Sequence, residues 1–174
     1  MADYVTDTHA LVWYLEDDKR LGPFATQAYD DCEQGSGFVY VPTICLVELI
    51  YLQEKGRIPA TLKTKFDQQL ETGQSISIVA DLTTTVANAI PQIARTDIPE
   101  LPDRIIAATA FVLQFPSITK DHHIQQSGLS TIWSCKVFWL VRRFPSFARP
   151  ALPPFQICFF FIPHPTPTAA PRSP

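Results

Sequence analysis

The sequence predicts an α/β fold, in which a parallel sheet is covered by helices on both faces. The first observation behind this prediction is that short β-rich segments alternate with segments of helical spacing through residues 3–133. The second is that glycine and proline separate the segments, as Gly22-Pro23 does after the first helical segment. Strands joined through helices in this way form βαβ units, whose strands pair in parallel.

Five segments have the length and composition of strands. The first, Tyr4–Thr6, is a short β-rich run that ends at Asp7, and the second is the run Phe38–Val41, which Pro42 ends. The remaining three segments are Ser75–Val79, Ser117–Thr119 and Leu129–Trp133. We expect the last of these to lie at an edge of the sheet.

Six segments are predicted to be helices. The first has apolar residues at helical spacing in Leu11, Val12 and Leu15. The fifth segment is predicted to continue as a helix through Pro91. The sixth begins with Pro102, and proline is compatible with the first turn of a helix. The segments are Ala10–Glu16, Phe24–Glu33, Thr43–Lys55, Ala60–Glu71, Thr83–Arg95 and Pro102–Leu113.

The composition is that of a globular protein. The chain has 174 residues, of which 46% are hydrophobic and 18% charged, and no apolar run approaches the ~20 residues of a membrane helix. The N-terminus lacks a basic and then apolar leader, so we expect a cytoplasmic protein. Four cysteines lie far apart without a C-x-x-C pair, which predicts reduced thiols and excludes zinc ribbons; they are Cys32, Cys45, Cys135 and Cys158.

Charge divides the chain into two parts. All 17 acidic residues lie at or before Asp121, so residues 1–133, with nine basic residues, carry a net charge of −8. Residues 134–174 contain five basic residues, no acid and nine of the 16 prolines. We therefore predict a folded domain over 1–133 and a proline-rich, disordered tail over 134–174. The tail could be a proline-rich docking segment or a basic arm for nucleic acid or membrane. Because composition alone is weak evidence for such roles, we favour an appended stretch without a selected role, such as out-of-frame or read-through sequence.

Two acidic residues follow strands of the predicted sheet. Asp7 ends the first strand, and Asp121 follows the fourth. In parallel α/β sheets ligands bind in the crevice beyond the carboxyl ends of the strands, so this edge is where we look for chemistry. No G-x-G-x-x-G or Walker loop follows any strand, which excludes a dinucleotide or P-loop site.

Two further acidic residues stand in apolar surroundings. Glu48 is the only charged residue between Thr43 and Gln53, and Asp103 begins a helix that is almost wholly apolar from Ile105 onward. A carboxylate in such a place needs a partner. Four converging carboxylates repel one another unless a cation lies between them, and Mg²⁺ or Mn²⁺ suits oxygen ligands and phosphodiester hydrolysis.

Each acidic residue also has a structural explanation. Asp7, Asp103 and Asp121 could cap the helices that follow them, and Glu48 could form an ion pair with a lysine or arginine of a neighbouring element. Caps account for three positions but leave the glutamate in the middle of a helix unexplained.

Four runs of sequence together resemble a known family. They are DTHALVWYL at Asp7–Leu15, Val47-Glu48-Leu49, PDRIIAATA at Pro102–Ala110, and ITKD at Ile118–Asp121. In order and spacing, over residues 3–133, the chain resembles PIN-domain nucleases, and among them the VapC-type toxins of type II toxin–antitoxin pairs. Residues 134–174 have no counterpart in that family.

The resemblance implies a three-layer α/β/α fold with sheet order 3-2-1-4-5. It also implies a Mg²⁺- or Mn²⁺-dependent endoribonuclease that cuts structured RNA, forms a homodimer and is inhibited by a cognate antitoxin. Carried over residue by residue, the family's metal-binding and catalytic acids fall on Asp7, Glu48, Asp103 and Asp121. Thr119 matches a hydroxyl position that supports the metal site.

Nearby basic residues are candidates for RNA contact. Arg104 and Lys120, next to Asp103 and Asp121, are the residues we expect to meet RNA phosphate, although each could be an ordinary surface charge. We expect His9 to position the first loop, and His122 and His123 to be exposed rather than metal ligands. The net charge of −8 argues against broad, non-specific binding of nucleic acid.

Two other functions compete with the nuclease. One is a catalytically inert PIN-like binding or scaffold module, which the presence of all four acidic residues disfavours. The other is an acid-rich phosphatase or phosphoacceptor of similar architecture, which would need a second aspartate where His9 stands.

Overall fold

The centre of the structure is a parallel five-stranded sheet. The structure is a computed structural model and describes residues 2–73 and 75–133. The strand order is β3-β2-β1-β4-β5, and every pairing is parallel, as the resemblance implied. In the register of the central strand, Val5 lies beside both Tyr40 and Ser117. The strands are β1 Tyr4–Thr6, β2 Val39–Pro42, β3 Ser77–Ala80, β4 Ser117–Ile118 and β5 Thr131–Ile132.

Seven α-helices and one 3-10 helix connect the strands within the described ranges. Six follow the predicted order, and α7 lies between β4 and β5. They are α1 Thr8–Leu15, α2 Pro23–Glu33, α3 Thr43–Glu54, α4 Thr61–Glu71, α5 Thr84–Ala89, α6 Leu101–Leu113 and α7 His122–Gln126, with the 3-10 helix at Ile90–Gln92.

The predicted helix Thr83–Arg95 is wrong in its length. The α-helical part, α5, ends at Ala89, and the 3-10 helix follows with Pro91 inside it. Proline has no amide hydrogen to donate and its ring obstructs the preceding turn, so an α-helix cannot continue through this position without loss. The predicted tail, residues 134–174, lies outside the described residues.

The sheet separates two hydrophobic clusters, one on each face. Alternation along β1 sends Val5 to one cluster and Tyr4 to the other, and their register partners on β2, Tyr40 and Val39, follow them. Helices α3, α4 and α6 pack on the first face, and α2 packs on the second. This arrangement is the predicted three-layer α/β/α architecture.

The last described residue, Trp133, packs tightly against the start of α2. A Cβ atom on Gly22 would lie 2.7 Å from the Trp133 carbonyl oxygen, so this approach requires glycine. That carbonyl accepts a hydrogen bond from the Phe24 amide at 3.3 Å. The folded layers therefore extend to Trp133.

The chain reverses its direction of travel across the sheet beside β1. It goes from β1 to β2 and β3 on one side, and then crosses to β4 and β5 on the other. Sheets of this kind bind ligands at such a switch point, beyond the carboxyl ends of the strands. The switch point here lies between the ends of β1 and β4.

Candidate active site

Asp7 lies directly after β1 and caps α1. Its Oδ1 accepts a hydrogen bond from the Ala10 amide at 2.6 Å, and the residue is only 3% exposed. Burial raises the pKa of this carboxyl, while donation from the Ala10 amide and the Thr119 hydroxyl opposes the rise. The predicted cap is confirmed for Asp7, and its carboxyl lies buried at the switch point.

Thr119 and Asp121 form the matching arrangement after β4. The Asp121 amide donates to Thr119 Oγ1 at 2.9 Å, and Asp121 Oδ1 accepts from the Ile124 amide at 2.9 Å, which caps α7. Because Thr119 Oγ1 accepts from an amide, its own hydrogen is free to be donated to Asp7. The fully buried Thr119 therefore connects the Asp7 carboxyl to the backbone amide of Asp121 across the switch point.

Asp103 lies in the first turn of α6, after Pro102, but does not cap this helix. The cap position belongs to Glu100, and no side chain provides a capping hydrogen bond there. The predicted cap is therefore wrong for Asp103. Burial raises the pKa of its carboxyl to about 7, and the charges of Asp121 and Glu48 add to the rise. The negative charges of Asp121 and Glu48 therefore act on the Asp103 carboxyl and favour its protonated form.

Glu48 reaches the same region from the middle of α3. The Thr8 hydroxyl donates to its Oε2 at 2.5 Å, and the residue is half-buried. The ion pairs in the described ranges are Arg20–Asp18 and Lys63–Asp67. The alternative of an ion pair for Glu48 is therefore not found among these residues, where a hydroxyl is its hydrogen-bond partner.

The charges of neighbouring acidic residues raise the pKa of both Asp7 and Asp103, and none of the four acidic residues forms an ion pair with a lysine or arginine in the described ranges. No group of three histidine, cysteine or acidic residues in those ranges has the geometry to hold a metal ion, so the four carboxyls do not form a closed metal site. Their donors are hard carboxylate oxygens, which suit Mg²⁺ and Mn²⁺, and Mg²⁺ is commonly bound through only one or two carboxylates together with water. The donor set therefore fits a hard divalent cation.

Comparison with known proteins decides the family. A family model described as PIN domain matches residues 4–128. The chain belongs to the PIN domain family. PIN domains are generally nucleases, and those nucleases generally use divalent metals such as Mg²⁺. No curated protein matches the sequence.

Solved structures with a similar fold include chains of two VapBC complexes. One is VapBC2 from Rickettsia felis bound to a promoter DNA fragment, with a TM-score of 0.54, 15% identity, and coverage of 75% of this chain and 98% of that one. Another is DNA-bound VapBC from Salmonella typhimurium, with a TM-score of 0.52, 18% identity, and coverage of 74% and 94%. These likenesses show the fold.

A further similar structure is FitAcB from Neisseria gonorrhoeae. Its TM-score is 0.50 at 21% identity, and the match covers 74% of this chain and 95% of that chain. The matched share of each neighbour shows that this PIN domain has nearly the full length of the chains it resembles.

The two basic residues predicted to contact RNA have different surroundings in the PIN domain. Arg104 Nε donates to the Ile93 carbonyl at 3.2 Å, and Nη2 donates to the carbonyls of Ile93 at 3.0 Å and Ile90 at 3.1 Å. These contacts hold the 3-10 helix against α6, so Arg104 has a structural role. Lys120 is exposed, with Nζ 5.5 Å from the centre of the Trp13 ring.

The histidines near the acidic residues lie on the surface. His122 and His123 are exposed, as predicted, and contact Gln126 and the Asp97 carbonyl oxygen respectively. His9 is exposed in the first turn of α1. Its ring packs against Trp13, with centroids 5.7 Å apart.

Two residues of the site were not predicted from sequence. Thr8 follows Asp7 in the first recognised run, and its hydroxyl was given no role although only 4% of the residue is exposed. Cys45 is fully buried beside β1, where its thiol donates to the Thr6 carbonyl at 3.7 Å. Burial raises the pKa of this thiol, so Cys45 stays protonated and neutral. Of the two, only Thr8 stood in a recognised motif.

None of the helices in residues 2–73 and 75–133 combines the length and apolar character needed to cross a membrane. Both cysteines in these ranges, Cys32 and Cys45, are free thiols, as predicted. Cys135 and Cys158 lie outside the described residues.

Proposed function

We propose that this PIN domain is the toxin of a VapBC-type toxin–antitoxin pair and acts as a Mg²⁺- or Mn²⁺-dependent endoribonuclease on structured RNA. One observation carries the proposal. The Asp103 carboxyl lies close enough to Asp7, Glu48 and Asp121 for their charges to raise its pKa, and no lysine or arginine of the described chain forms an ion pair with these four residues. Such an arrangement is costly for folding and is accounted for by a bound cation.

The cation would lie among four acidic residues, bound directly by one or two carboxylates and through water by the others. These residues are Asp7, Glu48, Asp103 and Asp121. A hard divalent ion bound there supplies Lewis acidity, which lowers the pKa of water and stabilises charge on the leaving oxygen of a phosphodiester. The expected products of hydrolysis carry 5′-phosphate and 3′-hydroxyl ends. A 2′,3′-cyclic phosphate product would show instead that the ribose hydroxyl is the nucleophile.

Neighbouring residues orient these carboxyls. The amides of Ala10 and Ile124 each donate to one oxygen of Asp7 and Asp121, which leaves the second oxygen of each for other contacts. The Thr119 hydroxyl orients Asp7, and Thr8 holds Glu48 by its Oε2. Asp103 forms no capping hydrogen bond at the start of α6, and the pKa of its carboxyl is raised to about 7. Its proton is the one that a cation would displace.

A protein partner is the second part of the proposal. The neighbouring structures are described as DNA-bound VapBC complexes or as FitAcB, and this chain matches nearly the full length of one chain in each. Helix α3 also exposes apolar side chains at Val47, Ile50 and Tyr51, which are between 47% and 55% exposed. Contiguous exposed apolar side chains are typical of protein interfaces. We propose a cognate antitoxin, a homodimer, and action on RNA in the cytoplasm.

The test uses the 174-residue chain with total RNA and Mn²⁺. Fragments that disappear with EDTA and in Asp103→Asn support the nuclease, and sequencing their ends identifies the target. The catalytically inert module remains the alternative. Calorimetry separates the two, because the nuclease predicts Mn²⁺ binding that Asp7→Ala abolishes, whereas an inert module gives little heat in either protein.

A further inference from the structure

Besides the ring of Trp133, three nitrogen-bearing side chains lie around the ring of Trp13 beside the acidic residues. Lys120 Nζ lies 5.5 Å and Arg20 Cζ 5.3 Å from the ring centroid, and the His9 ring packs against it with centroids 5.7 Å apart. They come from the β4–α7 connection, the α1–α2 connection and the first turn of α1. We call Trp13 and these three residues the Trp13 cluster.

The Trp13 ring restricts the positions of the Lys120 and Arg20 side chains and is too buried to stack with a nucleotide base. Trp13 is only 8% exposed, so a nucleotide base cannot stack on it. The negative face of an indole attracts ammonium and guanidinium groups, which restricts their side chains. Lys120 and Arg20 therefore present charges whose positions are set before any ligand arrives.

The acidic groups around the Trp13 cluster leave one cation uncompensated. Asp18 Oδ2 accepts from Arg20 Nε at 2.9 Å and from Nη2 at 2.5 Å, so the charge of Arg20 is largely balanced, and Glu16 adds to this effect. His9 lies close enough to Asp7 to lower the pKa of that carboxyl. Lys120 is exposed and forms no ion pair within the described ranges. It is the group available to an external anion.

Lys120 also lies next to the candidate active site. It stands between Thr119 and Asp121, and consecutive Cα atoms are only about 3.8 Å apart. A phosphate of RNA approaching four carboxyls meets repulsion, and residues 1–133 carry a net charge of −8. A positioned cation beside these carboxyls offsets that repulsion for an adjoining phosphate of the same strand.

We propose that the Trp13 cluster is a phosphate-binding subsite for the RNA backbone, with Lys120 as the direct contact and Trp13 as its anchor. The inference rests on the proposed function, because it takes RNA to be the substrate of the neighbouring carboxyls. It assigns the path of the RNA strand from the switch point across the end of α1. It leaves out Arg104, whose Nε and Nη2 donate to backbone carbonyls.

The test measures binding of a short unstructured RNA to the complete protein in EDTA, by fluorescence anisotropy at several salt concentrations. The variants are Lys120→Met, Lys120→Arg and a matched control, Lys55→Met. Lys55 is also exposed and lies over a ring, with Nζ 4.0 Å from the centre of Tyr51, but it is about two helical turns beyond Glu48. Each methionine variant removes one positive charge.

Loss of one phosphate contact has a defined signature. We expect Lys120→Met to reduce the slope of log affinity against log salt by about 0.7 and to weaken binding roughly 5- to 10-fold near 50 mM salt. Lys120→Arg restores both quantities, and Lys55→Met leaves the slope unchanged. If Lys120→Met and Lys55→Met changed the salt slope and the affinity equally, the change in net charge alone would explain the result, and the proposal would be overturned.

Cleavage by the wild-type protein with Mn²⁺ separates this inference from the proposed function. RNA binding that depends on Lys120, without any cleavage, would leave the subsite standing and remove the nuclease. Cleavage by the wild type together with an unchanged salt slope in Lys120→Met would remove the subsite alone. Absence of salt-dependent RNA binding by the wild type would also overturn the subsite.

Discussion

The Thr8 hydroxyl donates a 2.5 Å hydrogen bond to Glu48 Oε2 and so joins two residues that are 40 positions apart in the chain. The contact connects the first turn of α1 to the middle of α3. It fixes the position of a carboxyl whose sequence neighbours are apolar. A second partner of this kind typically matters for metal affinity as much as for stability.

Thr8→Val should weaken Mn²⁺ binding by roughly 10- to 100-fold, because the Glu48 carboxyl loses the donor that orients it. Calorimetric titration of Mn²⁺ into the complete protein measures this change. Thr8→Ser keeps the hydroxyl and should bind as the wild type does. Equal Mn²⁺ affinity of Thr8→Val and wild type would show that the hydrogen bond does not position a metal ligand.

The free energy of unfolding without metal should fall as pH rises from about 4 to about 7. The pKa of the Asp103 carboxyl is about 7 in the folded protein, against an ordinary value of 3.8. Between these values the folded state binds more protons than the unfolded state, so raising the pH destabilises it, and this contribution levels off above about pH 7. Burial also raises the pKa of Asp7, which acts in the same direction.

Asp103→Asn tests this linkage, because asparagine resembles the protonated carboxyl. In urea unfolding with EDTA, the variant should match the wild type near pH 4 and exceed it in stability at pH 8. Added Mn²⁺ should stabilise the wild type more than the variant at pH 8. A wild type as stable as Asp103→Asn at pH 8 without metal would contradict the repulsion described for these carboxyls.

Arg104→Met should lower the free energy of unfolding by about 2 kcal/mol and leave the salt slope of RNA binding unchanged. The guanidinium donates to the carbonyls of Ile90 and Ile93, and hydrogen bonds from charged groups each contribute on this scale. Arg104→Lys should not restore stability, since an ammonium lacks the planar fork that reaches both carbonyls. Lys120→Met is the control, with stability unchanged. Weakened RNA binding at full stability would return Arg104 to the RNA-binding residues.

Deletion of residues 134–174 should leave Mn²⁺ binding and RNA cleavage intact and improve solubility. The fold described here ends with β5, where Ile132 is 6% exposed, and with Trp133. The centroids of the Trp133 and Trp13 rings are 5.6 Å apart. The deleted part includes the apolar run Phe159-Phe160-Phe161-Ile162, which favours aggregation when exposed. Circular dichroism and thermal unfolding of residues 1–133 check this, and failure to fold would make the tail a structural element.

Much of the fold could be predicted from sequence because its signals are local. Helical spacing and short β-rich runs report the backbone geometry of each segment, and their alternation indicates a parallel sheet. The strand order needed the additional resemblance to PIN-domain nucleases. The end of α5 at Ala89 is also a local effect, which Pro91 signals, although the prediction continued the helix past it.

The candidate site could be predicted only in part. The positions of Asp7 and Asp121 after strands follow from local sequence, and so does their ability to cap the next helix. The same reasoning gave the wrong cap for Asp103, because a residue in the first helical turn and a capping residue have similar sequence surroundings. Chain position likewise put Arg104 beside the acidic residues without revealing that its donors are engaged by backbone carbonyls.

The sequence by itself determined the α/β class, the order of the elements and which acidic residues lie at the ends of strands. Only the tertiary structure decided that Thr8 contacts Glu48, that Arg104 holds the 3-10 helix and that Lys120 lies over Trp13. The physical reason is that periodicity and capping act between residues a few positions apart. Hydrogen-bond partners, ring contacts and the field on a buried carboxyl depend on how distant segments pack.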